Sequence, residues 1–154
     1  MPPTDRHVLL IGSAGGHLTQ LLALQAWWSS YERSWVTFES RHAESLLAGE
    51  RVSWAYQPTT RNIPNLLRNT RLAWRLLRRS RPDVVVSTGA GVALSFFVLA
   101  KLMRIPSVYI EVYDRIDSPT LTGRLCRPFA SMFLVQWEEQ RRFYPNSVVV
   151  GNLL

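Results

Sequence analysis

A strand followed by a small-residue turn is predicted by residues 7–18, His7-Val8-Leu9-Leu10-Ile11-Gly12-Ser13-Ala14-Gly15-Gly16-His17-Leu18. The apolar run has strand length, and its glycines permit the positive φ angles that a tight strand-to-helix turn requires. A helix beginning near His17 would offer free N–H groups to an anionic or hydroxyl-rich ligand, with the imidazole beside them as a proton acceptor. The alternative is a tight turn whose histidine has only a structural role.

The glycine spacing excludes two better-known phosphate-binding turns. A dinucleotide-binding turn has the pattern GxGxxG, and a P-loop has the pattern GxxxxGK[ST]. Here the glycines are Gly12, Gly15 and Gly16, and His17 stands where a P-loop carries its lysine. Neither motif is therefore present in this turn.

Composition narrows the class of protein and of partner. The chain has 154 residues, which is enough for one domain with a substantial core. Its 18 Lys and Arg residues against 11 Asp and Glu residues give a formal net charge of +7. This charge favours a polyanionic partner such as nucleic acid, an anionic membrane or phosphorylated substrates. The single cysteine, Cys126, excludes an internal disulfide and a cysteine-based metal site, which fits a reducing cytoplasm.

Apolar runs of strand length alternate with stretches of helical periodicity along the chain. Strands are predicted at 7–12, 34–39, 52–57, 83–87, 107–111, 132–136 and 147–150. Helices are predicted near 17–28, 41–48, 64–80, 92–103 and 121–130. This alternation predicts an α/β fold, a Rossmann-like parallel sheet with helices on both faces.

Three loops after the predicted strands are expected to converge, because ligands bind such sheets beyond the carboxyl ends of the strands. They are residues 13–17, residues 88–91 and residues 111–115. The second loop, Thr88-Gly89-Ala90-Gly91, again places small residues ahead of a helix, and the third contributes Glu111, Asp114 and Arg115. The two carboxylates are either catalytic or merely solvated loop charges, and the sequence leaves both interpretations open.

The segment 65–81 is predicted to be a basic amphipathic helix. A helical wheel places one group on an apolar face: Leu66, Leu67, Thr70, Ala73, Trp74, Leu76 and Leu77. The other face carries a stripe of arginines: Arg68, Arg71, Arg75, Arg78 and Arg79. A helix with five arginines, no acidic residue among them and a tryptophan suits the surface of an anionic bilayer, so we expect these arginines and Trp74 to bind membrane. The alternative is a core helix with a solvated basic face.

Four motifs in order along the chain resemble those of a known family. They are Gly12-Ser13-Ala14-Gly15-Gly16-His17, Ser87-Thr88-Gly89-Ala90-Gly91, Tyr109-Ile110-Glu111 leading to Ser118-Pro119-Thr120-Leu121-Thr122-Gly123-Arg124, and Phe133-Leu134-Val135-Gln136-Trp137. Together they resemble the Alg14 and PssD family of glycosyltransferase subunits in oligosaccharide and polysaccharide biosynthesis. The family is similar to the N-terminal domain of MurG, the acceptor-side half of a GT-B fold.

The resemblance implies a split enzyme. Residues 1–154 are expected to form one acceptor-binding domain, and an Alg13- or PssE-like partner chain would supply the donor-binding domain. The pair would transfer a sugar from a UDP-sugar to a saccharide on a polyprenyl diphosphate, with inversion. This chain would be inactive without its partner and would lie peripherally on the cytoplasmic face of the membrane. No cofactor or metal is expected, and UDP-sugar enters as the substrate.

Roles for individual residues follow from the resemblance. His17 is the expected base, and Glu111 is either a second candidate base or a residue that orients His17 or an acceptor hydroxyl. Binding of the acceptor and its phosphates is assigned to six residues: Ser13, Gly15, Gly16, Gly89, Gly91 and Arg115. The partner interface is expected at Val149, Asn152, Leu153 and Leu154.

Two rival functions are considered. One is a non-catalytic module that anchors and activates the partner at the membrane. The other is nucleic-acid binding, which explains the charge but not the small-residue turns. Because the arginines form no recognisable nucleic-acid-binding motif, no nucleic-acid partner is expected.

Overall fold

Seven parallel strands form a single sheet in a computed structural model of the protein, which describes residues 4–154. The strands are β1 (Thr4–Ile11), β2 (Tyr31–Phe38), β3 (Val52–Ala55), β4 (Val84–Ser87), β5 (Ser107–Ile110), β6 (Met132–Val135) and β7 (Val148–Val149). Their spatial order is β3-β2-β1-β4-β5-β6-β7. Strands β1 to β3 are added toward one edge of the sheet and β4 to β7 toward the other, so the order of addition reverses between β1 and β4. Ligands of open α/β sheets bind at such a switch point.

Six α-helices connect these strands: α1 (Gly16–Ala23), α2 (Gln25–Trp28), α3 (Arg41–Leu46), α4 (Ile63–Ser80), α5 (Val92–Leu102) and α6 (Leu121–Cys126). Two short 3₁₀ helices follow at Arg127–Phe129 and Glu138–Arg142. The expected helix at 121–130 thus ends as an α-helix at Cys126, two residues before Pro128, which has no N–H to donate. The expected helix at 17–28 is divided into α1 and α2 at Leu24.

The hydrophobic core lies on both faces of the sheet, which confirms the predicted Rossmann-like fold with helices on each side. Alternate residues of β1 point in opposite directions, because side chains of a strand alternate between faces. Leu9 and Ile11 pack against α4 and α5, in a cluster that includes Phe96 and Phe97. Val8 and Leu10 pack in a second cluster with α1 and α2.

Candidate functional site

The turn between β1 and α1 has the geometry that its glycines predict. Gly15 adopts φ +86 and precedes the first residue of α1, Gly16. A Cβ at either glycine would find no atom within 4 Å, so the space above this turn is open to a ligand. Ser13, next to the turn, is half-buried.

His17 is tied to the turn that follows β4. Its Nδ1 lies 2.7 Å from the carbonyl oxygen of Thr88, and the Thr88 hydroxyl donates to the His17 carbonyl at 2.8 Å. Gly89 has φ +120, and a Cβ there would lie 2.8 Å from His17 Cε1. The two predicted turns are thus brought together at the switch point, and a glycine at 89 leaves room for the imidazole.

The hydrogen bond to Thr88 determines which nitrogen of His17 is free to react. A carbonyl oxygen only accepts, so Nδ1 must carry the proton in this bond. In the neutral imidazole Nε2 is then the unprotonated nitrogen, which can accept a proton. The half-buried ring therefore has the tautomer that a general base requires.

Gly91 separates this turn from an apolar groove of about 580 Å³. A Cβ at Gly91 would come within 2.7 Å of Thr59 Oγ1, so the loop after β3 passes directly over it. Most of its lining is leucine, isoleucine and threonine, and two residues are more strongly polar: Ile63, Leu66, Leu94, Leu121, Leu125, Thr59, Thr60 and Thr122, with Arg61 and Asn62.

Glu111 does not occupy the open position that a substrate base needs. The residue is fully buried, and its carboxylate accepts from the backbone N–H groups of Val112 (3.0 Å) and Thr120 (3.2 Å), from the Thr120 hydroxyl (3.0 Å) and from the Tyr144 hydroxyl. His17 Nδ1 bonds to Thr88 instead, so Glu111 does not orient it through that nitrogen. In this arrangement Glu111 holds the loop 112–120. Its burial excludes the alternative of a solvated loop charge, whereas its catalytic role stays a prediction.

Tyr144 shares this buried site. Burial, followed by the hydrogen bond to Glu111, raises the pKa of the Tyr144 hydroxyl well above its usual range, so it stays protonated and donates to the carboxylate. Arg115 lies in the loop that Glu111 holds, and its side chain is exposed. Asp114 is exposed as well.

The helix at 63–80 presents a different face to the core than the helical wheel predicted. Its buried residues are Asn65, Asn69, Leu72, Ala73 and Leu77, whereas Leu66, Leu67 and Trp74 are exposed. Asn69 explains the difference, because it exchanges two hydrogen bonds with the backbone of Tyr56, at 2.8 and 2.9 Å. Leu67 and Trp74 therefore lie among the arginines, and the guanidinium of Arg78 stands 5.6 Å from the Trp74 ring.

The arginines of α4 have no acidic partner among residues 4–154. The ion pairs formed there involve Arg33, Arg51, Arg141 and Arg142, and none involves α4. Arg68, Arg71 and Arg75 line a shallow pocket of about 200 Å³ with Tyr56. The outer face of α4 is consequently both basic and apolar.

The four residues expected at the partner interface are placed differently from one another. Val149, Asn152 and Leu154 are exposed, with Leu154 52% exposed. Leu153 is only half-exposed because its side chain packs on the cluster formed by Leu10, Trp35 and their neighbours. Its backbone N–H donates to Gln136 Oε1 at 3.1 Å. Leu153 is therefore partly occupied by contacts within its own chain, and its role at a partner interface stays a prediction.

Residues missed by sequence reasoning stabilise the site from below. They are the buried glutamines Gln20, Gln136 and Gln140, together with Thr88, Thr120 and Tyr144. Several of them lie inside the four sequence motifs, which was the signal that could have found them.

No three His, Cys, Asp or Glu side chains within residues 4–154 are grouped closely enough to hold a metal ion. Over the same residues, no helix has the length and apolar character needed to cross a membrane.

Comparison with solved structures defines the class of fold. MurG of Acinetobacter baumannii superposes with a TM-score of 0.77 at 20% identity, over 96% of this chain and 46% of the MurG chain. A UDP-bound structure of MnaA from S. aureus gives a TM-score of 0.72 at 14% identity, over 96% of this chain and 44% of that one. The chain spans about half the length of these structures, and its fold is that of the N-terminal half of a GT-B glycosyltransferase.

Sequence comparison establishes the family. The family described as "Oligosaccharide biosynthesis protein Alg14 like" matches residues 31–153, so the chain belongs to it. UDP-N-acetylglucosamine transferase subunit ALG14 of Mus musculus is 26% identical, in an alignment that covers 99% of this chain and 85% of the mouse protein. The subunit of the same name from Eremothecium gossypii is 28% identical, and its alignment covers 99% of this chain and 81% of that protein. The resemblance predicted from the four motifs is confirmed.

Proposed function

We propose that this chain is the acceptor-binding subunit of an inverting glycosyltransferase that uses a UDP-sugar, and that His17 is its general base. The observation that carries the proposal is the position of His17. Its imidazole lies at the switch point of a GT-B-type half, between two small-residue turns, with Nδ1 bonded to Thr88 and Nε2 free. The names of the relatives favour UDP-N-acetylglucosamine as the donor.

The proposed reaction is a single displacement. The acceptor hydroxyl attacks the anomeric carbon of the sugar, the bond to UDP breaks, and the proton of the hydroxyl passes to His17 Nε2. The open space over Gly15 and Gly16 accommodates the acceptor close to the backbone, where free N–H groups attract its phosphates. Ser13 and the turn at Gly89 border the same space, and the exposed Arg115 supplies a cation for the diphosphate.

The lipid part of the acceptor is assigned to the apolar groove beside Gly91. A polyprenyl chain is purely apolar, and the leucine and isoleucine side chains of this groove offer it a matching surface. Ile63 and Leu121 at the groove are 69% and 70% exposed, an unfavourable position in water that a lipid would cover.

Attachment to the membrane is assigned to the outer face of α4. Leu67 is 65% exposed and Trp74 is 47% exposed, and arginines surround both. Apolar side chains that enter the interface, bordered by cations that meet anionic headgroups, are what an interfacial helix requires. We place this surface on the cytoplasmic side, where the polyprenyl-linked acceptor would be met.

An Alg13- or PssE-like partner is proposed to supply the donor site and to be needed for activity. The relatives are named as subunits of a transferase, which supports a partner chain. The exposed side chains of Val149, Asn152 and Leu154 are proposed as its contact surface.

The test is replacement of His17 by Ala in the reconstituted pair. Loss of a general base lowers the rate by about a hundredfold or more, whereas pair assembly measured by pull-down stays unchanged. His42→Ala is the matched control, because His42 is exposed on α3 and makes no hydrogen bond to either turn, and its rate should equal that of the wild type.

A second candidate function is a non-catalytic anchoring module, which the exposed basic and apolar face of α4 favours. In that case His17→Ala would keep the full rate, while changes to α4 would release the pair from vesicles. A full rate for His17→Ala would therefore refute the catalytic proposal and support the anchoring one.

A further inference from the structure

Three glutamines are buried together beneath the His17 site. Gln20, Gln136 and Gln140 are exposed by 2%, 1% and 0%, respectively. A buried amide is costly unless its donors and acceptors are paired, so the partners of these side chains show what they hold.

Gln136 joins three separate parts of the chain. Its Nε2 donates to Gln20 Oε1 at 2.5 Å and to the Glu111 carbonyl at 3.0 Å, and its Oε1 accepts from the Leu153 N–H at 3.1 Å. The Glu111 carbonyl can only accept and the Leu153 N–H can only donate, so the amide fits in one orientation. Its connections are therefore specific in direction as well as in position.

Gln20 brings this connection to His17. The two residues lie three positions apart on α1, a helix of eight residues. Gln20 Oε1 has Gln136 as its hydrogen-bond donor, and the Gln20 side chain is otherwise buried. A change at Gln136 therefore removes a buried hydrogen bond from α1, the helix whose first turn contains His17.

Gln140 has a different task from Gln136. Its Oε1 accepts from the backbone N–H groups of Gln136 and Trp137, and its Nε2 donates to the carbonyls of Val112 and Arg115. These bonds hold the loop after β5 and the start of the 3₁₀ helix, without contact to Leu153 or Gln20. The hydrogen-bonded link between the segment 150–154 and α1 therefore passes through Gln136, beside the apolar packing of Leu153 on the cluster that includes Leu18 and Leu21.

We propose that Gln136 is a positioning residue that couples the segment 150–154 to His17. Placement of Leu153 orients the Gln136 amide, the amide holds Gln20, and Gln20 fixes the helix that presents His17 to the acceptor. A partner that docks on the exposed residues of this segment thereby adjusts the base on the other side of β6. The inference rests on the proposed function only for the role of His17 and for the partner.

The coupling is tested in the chain by itself, from the NMR signals of the His17 ring. Leu153→Pro removes the N–H that Gln136 accepts, and we expect it to shift the His17 signals. The shift should disappear when Gln136→Met or Gln20→Met is already present, because the connection is then broken. Val148→Thr, an exposed change on β7, is the control and should leave the His17 signals in place.

Each outcome decides the proposal. No His17 shift in Leu153→Pro, or a shift that persists in both methionine backgrounds, overturns it. If Gln136→Met does not fold, Gln20→Met still breaks the connection, since it leaves the bonds of Gln136 to Glu111 and Leu153 intact. Thermal unfolding of each variant confirms that a folded chain is compared.

Kinetics of the reconstituted pair supply the second readout. Gln20→Met should lower kcat about tenfold, the effect of a misplaced catalytic group, while KM for the UDP-sugar stays unchanged. An unchanged kcat overturns the positioning role, and a general loss of folded protein would instead lower the active fraction without changing the His17 signals. If the wild-type pair transfers no sugar, the proposed function fails, and the NMR result still decides the coupling.

Discussion

Replacement of Glu111 by Gln, which exchanges one carboxylate oxygen for an NH₂ group, should strongly destabilise the folded chain. Each carboxylate oxygen accepts from a backbone N–H, one from Val112 and the other from Thr120. A glutamine side chain has one oxygen and one NH₂ group, so in either orientation its NH₂ meets an N–H that cannot turn away. One bond to a charged group is lost, and a buried donor is left unpaired.

The magnitude follows from these contacts. A hydrogen bond to a charged group contributes about 1.5–3 kcal/mol, and an unpaired buried donor costs about 1–3 kcal/mol, so the free energy of unfolding should fall by about 2.5–6 kcal/mol. Tyr144→Phe removes one hydroxyl donor and keeps the ring contact with Phe133, and should cost about 1.5–3 kcal/mol. Asp114→Asn changes an exposed carboxylate of the same loop and should stay within about 0.5 kcal/mol.

Urea denaturation followed by tryptophan fluorescence measures all three variants, since the chain contains six tryptophans. The expected order of destabilisation is Glu111→Gln, then Tyr144→Phe, then Asp114→Asn. A loss below about 1 kcal/mol for Glu111→Gln would refute the assignment of this carboxylate as the clamp of the loop.

Three further predictions concern α4, the far end of β1 and the second glycine turn. Changing Arg71, Arg75 and Arg78 to Gln should weaken binding to anionic vesicles by roughly two orders of magnitude, because each arginine contributes about 1 kcal/mol. Vesicle sedimentation measures this loss, and a pull-down assay should show an unchanged affinity for the partner. Unchanged vesicle binding with a lost partner affinity would assign these arginines to the partner instead. The pKa of His7 is lowered chiefly by burial and then by Arg51, so the unfolded chain binds this proton more readily. The folded chain is therefore most stable, with respect to His7, above a pH of about 6.5, and the free energy of unfolding falls as the pH drops below that value. The urea midpoint of His7→Gln should depend less on pH over this range than that of the wild type. Gly89→Ala combines φ +120 with a Cβ 2.8 Å from His17 Cε1, and should cost about 1–3 kcal/mol and shift the His17 ring signals; an unshifted ring would show that the turn adapts.

The order of elements could be predicted from local sequence. The predicted strand and helix ranges agree with the structure to within a few residues. The reason is that the period of the apolar residues and the conformations open to small turn residues are local properties of the sequence. The pairing of the turns at 13–17 and 88–91 was expected for the same reason, since parallel strands end at a common edge. The hydrogen bond that selects the His17 tautomer was not, because it depends on distances between residues 71 positions apart.

The amino-acid sequence by itself determined the parallel sheet, the small-residue turns that meet beside His17 and the family to which the chain belongs. Tertiary structure alone decided which polar residues are buried. Glu111 is buried because Thr120, at the end of the loop that follows it, and Tyr144, 33 positions along the chain, both donate hydrogen bonds to its carboxylate. Likewise, Asn65 and Asn69 face inward on α4 because the backbone at Tyr56 and Pro58 needs hydrogen-bond partners, so that Leu67 and Trp74 face outward. A helical wheel shows only how polar and apolar residues are distributed around the helix and contains no information on those hydrogen-bond partners. The fold could therefore be predicted from the sequence, whereas its buried polar contacts could not.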